Sequence, residues 1–349
     1  MLKIRKITII ALLILQAVIL ASCKTEGASS ERRIYLFGEQ HTVQAHLDKQ
    51  FELWSDFYHN DDMRHLFVEM PYFSCEFLNI WMKADNDEIL DMLFEDASGS
   101  ALASPNVKEF ISRIKKELPE TIFHGTDVGH QINTGQRFLE YLRNNGLEES
   151  EIYRLTMENI EQGEMFYNEF NQNHSSRAEM MYENFVRTFE SLKDENIMSA
   201  FYGMGNVAFG HYPDYAGGGP TLAQKLKERY GKNVHTVNLQ HMISEELAVA
   251  DTIVINGKEY RATYFGEREF NHEGLAKMEF WRIEDASDLK NNPLTGDILP
   301  YDYYLMAIEI GQIFAIRLTF HDGNTIMSYQ RSNGTIWNGV EVTEDFLVE

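Results

Sequence analysis

Basic residues are scarce in this sequence. It contains 31 Lys and Arg against 54 Asp and Glu, which gives a formal net charge of −23 at neutral pH. So acidic a chain repels the phosphates of nucleic acids and the headgroups of anionic lipid surfaces. We therefore exclude DNA and RNA as partners.

Two common catalytic motifs are missing as well. No Gly-x-Ser-x-Gly elbow is present, so no serine nucleophile is predicted. No His-Glu-x-x-His pattern is present either, so the sequence does not support a zinc site of that helical kind. Internal repeats and low-complexity tracts are also absent, so a repeat architecture is not predicted.

The N-terminus has the layout of a secretory signal. Three basic residues open the chain: Lys3, Arg5 and Lys6. An apolar run follows at residues 7–20. It is too short for a membrane-spanning helix, which needs about 20 apolar residues. It ends in Leu20-Ala21-Ser22-Cys23, which resembles the lipobox of bacterial lipoprotein signals. The resemblance implies that residues 1–22 are a signal peptide and that Cys23 is lipidated by acyl chains such as palmitate.

Cysteine usage agrees with this interpretation. The chain has two cysteines, and lipidation of Cys23 leaves Cys75 without a partner for an intramolecular disulfide. Stability must then come from a hydrophobic core, for which roughly 320 mature residues are ample. We expect an extracytoplasmic protein of the cell envelope whose membrane contact is the lipid anchor, with residues 23–30 as a polar tether.

Residues 32–239 alternate short apolar runs with longer runs at helical spacing. Strands are predicted at residues 34–37, 66–68, 121–124, 198–202 and 234–239. Helices are predicted at residues 45–58, 77–94, 107–118 and 222–230, with a long helical insertion over residues 134–193. This alternation indicates an α/β fold with a mostly parallel sheet and flanking helices.

The last hundred residues have a different character. Strands are predicted at residues 252–255, 260–264, 303–308, 312–320 and 325–330. Three dipeptides predict hairpin turns: Asn256-Gly257, Asp322-Gly323 and Asn333-Gly334. We therefore predict an α/β domain over residues 31–243 and a β-rich C-terminal region over residues 244–349.

Polar residues follow the predicted strands of the α/β part. Glu39 and His41 come after the first strand, Glu69 after the second and Asp127 after the third. Active sites of open α/β sheets form outside the carboxyl ends of the strands, so these side chains should share one edge. An imidazole beside a carboxylate is an arrangement suited to general-base catalysis.

The order of these motifs resembles the erythromycin-esterase-like superfamily, and more loosely ChaN-like haem-binding lipoproteins and the TraB/Tiki group. The resemblance covers about residues 32–239. Two later segments are also similar to the erythromycin-esterase branch. One is the helix 176–184, which carries Arg177 and Asn184, and the other is the Gly-rich approach 217–222 with the helix that follows it.

The resemblance implies a role for each matching residue. His41 would be the general base that activates water, and Glu39 and Glu69 would orient and polarise His41 or the water. Arg177 would bind or stabilise negative charge on the substrate. His211 would be the late catalytic histidine of the family.

The sequence departs from the family at two places. The family usually has Gly after the first histidine, where this chain has Thr42. A Gly-x-x-His spacing counted from Gly203 ends on Asn206, and a histidine follows only at His211. Either residue could occupy the late position.

We predict a hydrolase that cleaves an ester or related bond in a small-molecule substrate with water activated by His41 and without a cofactor. Two alternatives stay open. One is a TraB/Tiki-type metal hydrolase with His41, Glu69 and His211 as ligands of a divalent metal such as zinc. The other is a lipoprotein that binds haem or another ligand without catalysis. The remaining histidines, including His124 and His130, are given no role.

Overall fold

The structure is a computed structural model that describes residues 32–192, 196–270 and 274–348. The predicted signal peptide, the lipidation site Cys23 and the tether lie outside the described residues. Among the helices of the described part, none is long and apolar enough to cross a membrane.

The N-terminal sheet is parallel in every pairing described for it, which confirms the predicted α/β class. The strands are β1 Ile34–Glu39, β2 His65–Pro71, β3 Ile122–Asp127, β4 Ile197–Ala200, β5 Tyr202–Gly203 and β6 Val234–Asn238. Their order is β3-β2-β4-β1-β5, and β6 also pairs with β1. Between β4 and β5 the backbone of Phe201 takes a φ of +62°, which interrupts the predicted strand 198–202.

Helices lie between these strands along the chain. They are α1 Gln44–Asn60, α2 Tyr72–Trp81, α3 Glu88–Asp96, α4 Pro105–Glu117, α5 Ile132–Asn144, α6 Glu151–Asn168, α7 His174–Ser191, α8 Met204–Val207, α9 Leu222–Tyr230 and α10 Leu239–Leu247. The predicted helical insertion is therefore three helices, α5 to α7. Ser150 and Asn173 separate them, because their side chains cap α6 and α7 by accepting backbone N–H groups.

One predicted helix is divided in the structure. Residues 77–94 belong to α2 and α3, and a polar segment joins the two helices. Within that segment Asp87 accepts a hydrogen bond of 2.9 Å from the indole N–H of Trp81, which ties the end of α2 to the start of α3. Asn86 accepts the backbone N–H of Glu88 at 3.3 Å, and short polar side chains compete with helical hydrogen bonding in this way.

Alternation along the central strands covers both faces of the parallel sheet. Leu66 and Val68 pack into one large cluster with Trp54 of α1 and Trp81 of α2. Phe67, between them, faces a second cluster on the opposite side of the sheet. Both faces are therefore covered by helices, which leaves the strand ends as the accessible part of the sheet.

The C-terminal part is an antiparallel sheet, so the predicted β-rich region is confirmed. Its strand order is β10-β13-β12-β11-β9-β8-β7. The strands are β7 Val249–Ile255, β8 Lys258–Glu269, β9 Leu275–Ile283, β10 Leu294–Pro300, β11 Ile313–Phe320, β12 Thr325–Trp337 and β13 Val340–Phe346. Buried clusters lie on this sheet, among them one with Ile253 and Trp281 and another with Phe280 and Phe314.

Two predictions for this region are wrong. Residues 303–308 do not form a strand, because Tyr304, Leu305 and Met306 are all buried in succession against the sheet instead of alternating. Asn333-Gly334 is not a hairpin turn but lies inside β12 at a register irregularity opposite β13. The hairpin between those strands turns at Asn338 and Gly339, which both have positive φ, as the favoured two-residue turn requires.

Two other hairpin predictions are confirmed. Asn256 and Gly257 join β7 to β8 with positive φ at both residues. Gly323 lies in the turn between β11 and β12 with a φ of +86°. The strands β9, β10 and β13 were missed, because their charged residues obscure the apolar alternation that marks a strand.

Candidate active site

A cleft of about 240 Å³ opens at the carboxyl ends of the parallel strands. Glu39 of β1, Glu69 of β2 and Asp127 of β3 all line it, as the parallel topology predicts for strand ends at one edge. Apolar side chains form much of the remaining wall: Met70, Pro71, Leu102, Val107 and Phe201. The cleft therefore combines charged groups with low-polarity walls, which strengthens electrostatic interactions inside it.

His41 and Glu39 form the first imidazole–carboxylate pair of the cleft. His41 Nδ1 lies 2.9 Å from Glu39 Oε1, and Glu39 is buried with only 2% of its surface exposed. The other oxygen of Glu39 accepts a hydrogen bond from the side-chain amide of Gln50. Gln50 in turn accepts the backbone N–H of Phe201 at 3.0 Å, so α1 and the interruption between β4 and β5 both hold Glu39 in place.

This pairing sets the chemistry of the imidazole. With Nδ1–H donating to Glu39, Nε2 is the unprotonated nitrogen of the neutral ring. A methyl group placed on Gly203 would lie 3.5 Å from Nε2, so Nε2 points across the strand ends toward β5. The hydrogen bond to Glu39 raises the pKa of His41 above 6.5; burial opposes this, Glu69 adds to it and Arg177 opposes it.

Two hydrogen bonds hold the loop that carries His41, one on each side of this residue. The backbone N–H of Gln40 donates to His46 Nδ1 at 2.9 Å, and Asn106 donates its side-chain amide to the carbonyl of Thr42 at 3.0 Å. Thr42 adopts a φ of +68°, in the left-handed region. A β-branched residue is disfavoured there, whereas glycine adopts this conformation at little cost.

Thr42→Gly should therefore stabilise the protein by about 1 kcal/mol, because the left-handed conformation costs a residue with a Cβ about 1–2 kcal/mol and glycine much less. Urea unfolding should show a higher midpoint with an unchanged slope. Thr252→Gly is the matched control: Thr252 lies in β7 without positive φ, and there glycine should lower the midpoint. An equal fall in both variants would show that Thr42 is not strained.

Glu69 is held by donors from three different elements. Its Oε1 accepts from Arg177 Nη2 at 2.6 Å. Its Oε2 accepts from the backbone N–H of Gly203 at 2.8 Å and from the Asn206 side chain at 2.9 Å. Charge-assisted contacts of this kind hold a carboxylate firmly, so the Glu69 side chain has a fixed position beside His41.

Arg177 joins the second and third strands across the cleft. Its Nε donates to Asp127 Oδ1 at 2.8 Å and its Nη2 donates to Asp127 Oδ2, in addition to the bond with Glu69. Burial alone would raise the pKa of Asp127, but Arg177 and His130 hold it well below its ordinary range. Burial would likewise lower the pKa of Arg177, whereas Asp127 and Glu69 raise it.

The helix that carries Arg177 is fixed to β3 at a second point. Asn184 is seven residues further along α7, two turns away on the same face. Its side chain donates to the carbonyl of Thr126 at 3.2 Å, and Asn159 of α6 donates to the carbonyl of Asp127 at 2.7 Å. The spacing between Arg177 and Asn184 thus serves to dock the helix on the strand end.

A second imidazole in the cleft is not predicted by the sequence pattern. His130 lines it, with Nε2 at 2.8 Å from Asp127 Oδ2 and Nδ1 at 2.7 Å from the hydroxyl of Tyr167. The available signal was the short interval between Asp127 and His130 after a strand. An interval in a loop has no fixed periodicity, so it does not predict that the two side chains meet.

His211 does not lie among the residues that line the cleft. It is exposed, and its backbone pairs with Pro220. Asn206 is the residue of the late segment that reaches the site: it donates to Glu69 and accepts a hydrogen bond from the Tyr212 hydroxyl. Of these two residues, Asn206 is therefore the one that contacts a side chain lining the cleft.

The proposed metal ligand set is not assembled in the described residues. His41 and Glu69 share the cleft, but His211 does not line it. Nowhere in the described ranges does a group of three or more His, Cys, Asp or Glu side chains stand where it could hold a metal ion. The residues at this site do not fit the three-ligand zinc arrangement.

Comparisons with known proteins give distant structural neighbours. No protein-family model matches the chain, and no curated protein matches it significantly. Among solved structures, a mutant of the erythromycin esterase EreC in its open conformation matches with a TM-score of 0.45 and 14% identity, over 67% of this chain and 76% of that one.

Two further solved structures are similar at the same distance. A Bacillus cereus protein has a TM-score of 0.44 and 12% identity, over 59% of this chain and 65% of its own. A succinoglycan biosynthesis protein has a TM-score of 0.44 and 11% identity, over 60% of this chain and 66% of its own. The chain thus spans about two thirds of the length of these two proteins.

Proposed function

We propose that this protein is a hydrolase in which His41 activates a water molecule to cleave an ester or related bond in a small molecule. The observation that carries the proposal is the buried Glu39 carboxylate, 2.9 Å from the Nδ1 of a half-exposed His41 in the cleft. This contact fixes the tautomer in which Nε2 accepts a proton. No covalent enzyme intermediate is proposed.

In the proposed step, His41 Nε2 takes a proton from water as the water oxygen attacks the carbonyl carbon. The carbonyl π electrons move to oxygen, and Glu39 stabilises the imidazolium that forms. Arg177 uses Nε and Nη2 for Asp127 and Glu69, while Nη1 has no hydrogen bond with the described residues. Nη1 is our candidate donor to the developing oxyanion.

The charges of the cleft favour a neutral or cationic substrate. Glu39, Glu69 and Asp127 bring three carboxylates to the cleft, while Arg177 is the one permanently cationic side chain among the described residues that line it. An anionic ester would be repelled by the excess of negative charge. The apolar wall and the small volume suit an uncharged group of modest size.

The test is turnover of a panel of small neutral esters and amides by the purified protein, beside the same protein with His41 replaced. Metal content is measured on the same preparation. Ester cleavage that requires His41 and survives chelation would support the proposal. Folded wild-type protein without turnover on any member, or turnover that chelation abolishes and zinc restores, would count against it.

We also propose that the protein is exported and anchored to the cell envelope by lipid on Cys23. Cys23→Ser should move it from the membrane fraction to the soluble fraction, because acyl chains contribute about 0.8 kcal/mol per buried CH₂ and serine cannot receive the thioether-linked lipid. Fractionation of expressing cells with a high-salt wash measures this.

The control for the anchor is the other cysteine. Cys75 is buried in the core of the α/β part, so Cys75→Ala should leave the protein in the membrane fraction. A Cys23→Ser protein that still sediments with membranes and resists salt would contradict lipidation at Cys23.

A further inference from the structure

A second imidazole–carboxylate pair lies in the same cleft as the first. Asp127, His130 and Tyr167 form a continuous hydrogen-bonded chain with contacts of 2.8 Å and 2.7 Å, and all three line the cleft. Asp127 is 1% exposed, whereas Tyr167 is 42% exposed. The chain therefore runs from a buried charge to a phenol that solvent and substrate can reach.

The protonation of His130 decides which group donates in the hydrogen bond between His130 and Tyr167. His130 donates Nε2–H to Asp127, which leaves Nδ1 to accept the hydroxyl of Tyr167 while the ring is neutral. When the ring is protonated, Nδ1–H donates to the Tyr167 oxygen instead. The phenolic proton is then free to point into the cleft.

The leaving oxygen needs a proton, and a second acid in the cleft would supply it without requiring His41 to return the proton that it took from water. Asn206, which donates to Glu69, has no titratable proton. Arg177 stays charged, because Asp127 and Glu69 raise its pKa despite burial. Burial, together with the charge of Asp127, raises the pKa of Tyr167 against the opposing effect of Arg177, so its phenol keeps its proton near neutral pH.

We infer that Tyr167 is the general acid of the proposed hydrolysis and that His130 and Asp127 are positioning residues that supply its proton. This inference rests on the proposed function. The electron pair of the oxyanion re-forms the carbonyl as the bond to the leaving oxygen breaks, and the pair of that broken bond stays on the leaving oxygen, which takes the Tyr167 proton. Tyr167 takes the Nδ1 proton of the protonated His130, which becomes neutral, and Asp127 keeps its charge. His41 holds the proton removed from water, and exchange with solvent returns both histidines to their starting states.

The alternative is that the three residues only brace the loop after β3 against α6. The two interpretations differ in how activity depends on the leaving group. A bracing role predicts equal losses for every ester when the chain is broken. An acid predicts the greatest loss where the leaving oxygen is a strong base and needs a proton.

The experiment compares an alkyl ester with a nitrophenyl ester of the same acid, in wild type, Tyr167→Phe and His130→Gln. We expect Tyr167→Phe to lower alkyl-ester turnover at least about 100-fold. The fold-loss of nitrophenyl-ester turnover should be at least about ten times smaller than the fold-loss of alkyl-ester turnover. His130→Gln should show the same bias more weakly. Tyr141→Phe is the control, because Tyr141 is 40% exposed but does not line the cleft.

Each outcome has one meaning. Equal losses on both esters in Tyr167→Phe, or no loss on either, would overturn the inference while the His41→Ala result still decides the proposed function. A folded wild type that cleaves neither ester would overturn the proposed function and the acid role with it.

A second measurement tests the hydrogen bonds among Asp127, His130 and Tyr167 without measuring turnover. Proton NMR should show a downfield imidazole N–H resonance that His130→Gln removes, Tyr167→Phe shifts and Tyr141→Phe leaves in place. A resonance that Tyr167→Phe does not shift would overturn the link between Tyr167 and His130.

Discussion

Replacing His41 by alanine is expected to lower ester turnover at least about 100-fold, which is the lower end of what a positioned acid or base contributes. Thermal stability should change little, since the His41 side chain is 43% exposed and buries little apolar surface. Turnover and thermal unfolding are measured on the same preparation. Activity is then expressed per folded molecule.

The pH dependence follows from the same group. The hydrogen bond to Glu39 raises the pKa of His41 above 6.5, and Glu69 adds to this against burial and Arg177. The base must be neutral, so turnover of an ester with a weakly basic leaving group should rise with pH, reach half its maximum above pH 6.5 and then level off. His41→Ala should lose this ionisation from its residual rate.

Protonation of His41 should stabilise the fold, although it should lower turnover. Because the folded-state pKa of His41 is raised, the protonated ring stabilises the fold fully below its unfolded pKa, and this contribution disappears as pH rises through the folded pKa. His41→Ala should therefore differ from wild type more at pH 5 than at pH 9 in thermal unfolding.

His211→Ala is the control for this prediction. His211 is exposed and does not line the cleft, so its replacement should leave turnover within about threefold of wild type, whereas a positioned base contributes about 100-fold or more. Full activity per folded molecule in His41→Ala would remove His41 as the base. A large loss in His211→Ala would show that the late segment moves into the cleft during turnover.

Much of the α/β part could be predicted because its signals are local and repeated. Leu66, Phe67 and Val68 alternate between two buried clusters, which predicts helices on both faces of the sheet. A parallel sheet then places Glu39, Glu69 and Asp127 at one edge whatever the loops do. That inference needed only the order of the elements.

The rest of the site could not be predicted because it depends on loop conformations. His130 bonds to Asp127, while His211 is exposed and does not line the cleft, and neither outcome is encoded in a period of 2 or 3.6 residues. The position of Asn206 depends on the break at Phe201 and on the hydroxyl of Tyr212, which are tertiary features. Spacing between glycines could not choose between Asn206 and His211.

Arg177→Met should destabilise the fold by about 3–5 kcal/mol at neutral pH, the cost of leaving buried charges without their partner. The side chains of Glu69 and Asp127 are 4% and 2% exposed, so water cannot replace the guanidinium. Methionine keeps the length and the apolar stem of the side chain, which separates the loss of charge from a loss of packing. Urea unfolding at pH 7 measures the effect.

Lower pH should reduce the difference in unfolding free energy between wild type and Arg177→Met. Burial raises the pKa of Asp127, but in wild type Arg177 and His130 hold it well below its ordinary value of 3.8. The pairing therefore stabilises the fold above pH 3.8. This stabilisation is lost as pH falls through the folded-state pKa of Asp127. In the variant the buried carboxylates can be protonated at higher pH, which relieves the repulsion between them. The gap between the two proteins should therefore narrow from pH 7 to pH 4.

The chain supplies a matched control in Arg154, which also bridges two carboxylates. Its partners are Glu151 and Glu158, and its own side chain is 56% exposed. Exposed pairs contribute about 0–1 kcal/mol, so Arg154→Met should shift the unfolding free energy by no more than that. If Arg177→Met costs no more than Arg154→Met, the ends of β2 and β3 are held together by packing alone. Arg177 would then be available to interact with charge on the substrate and would not be needed for the stability of the cleft.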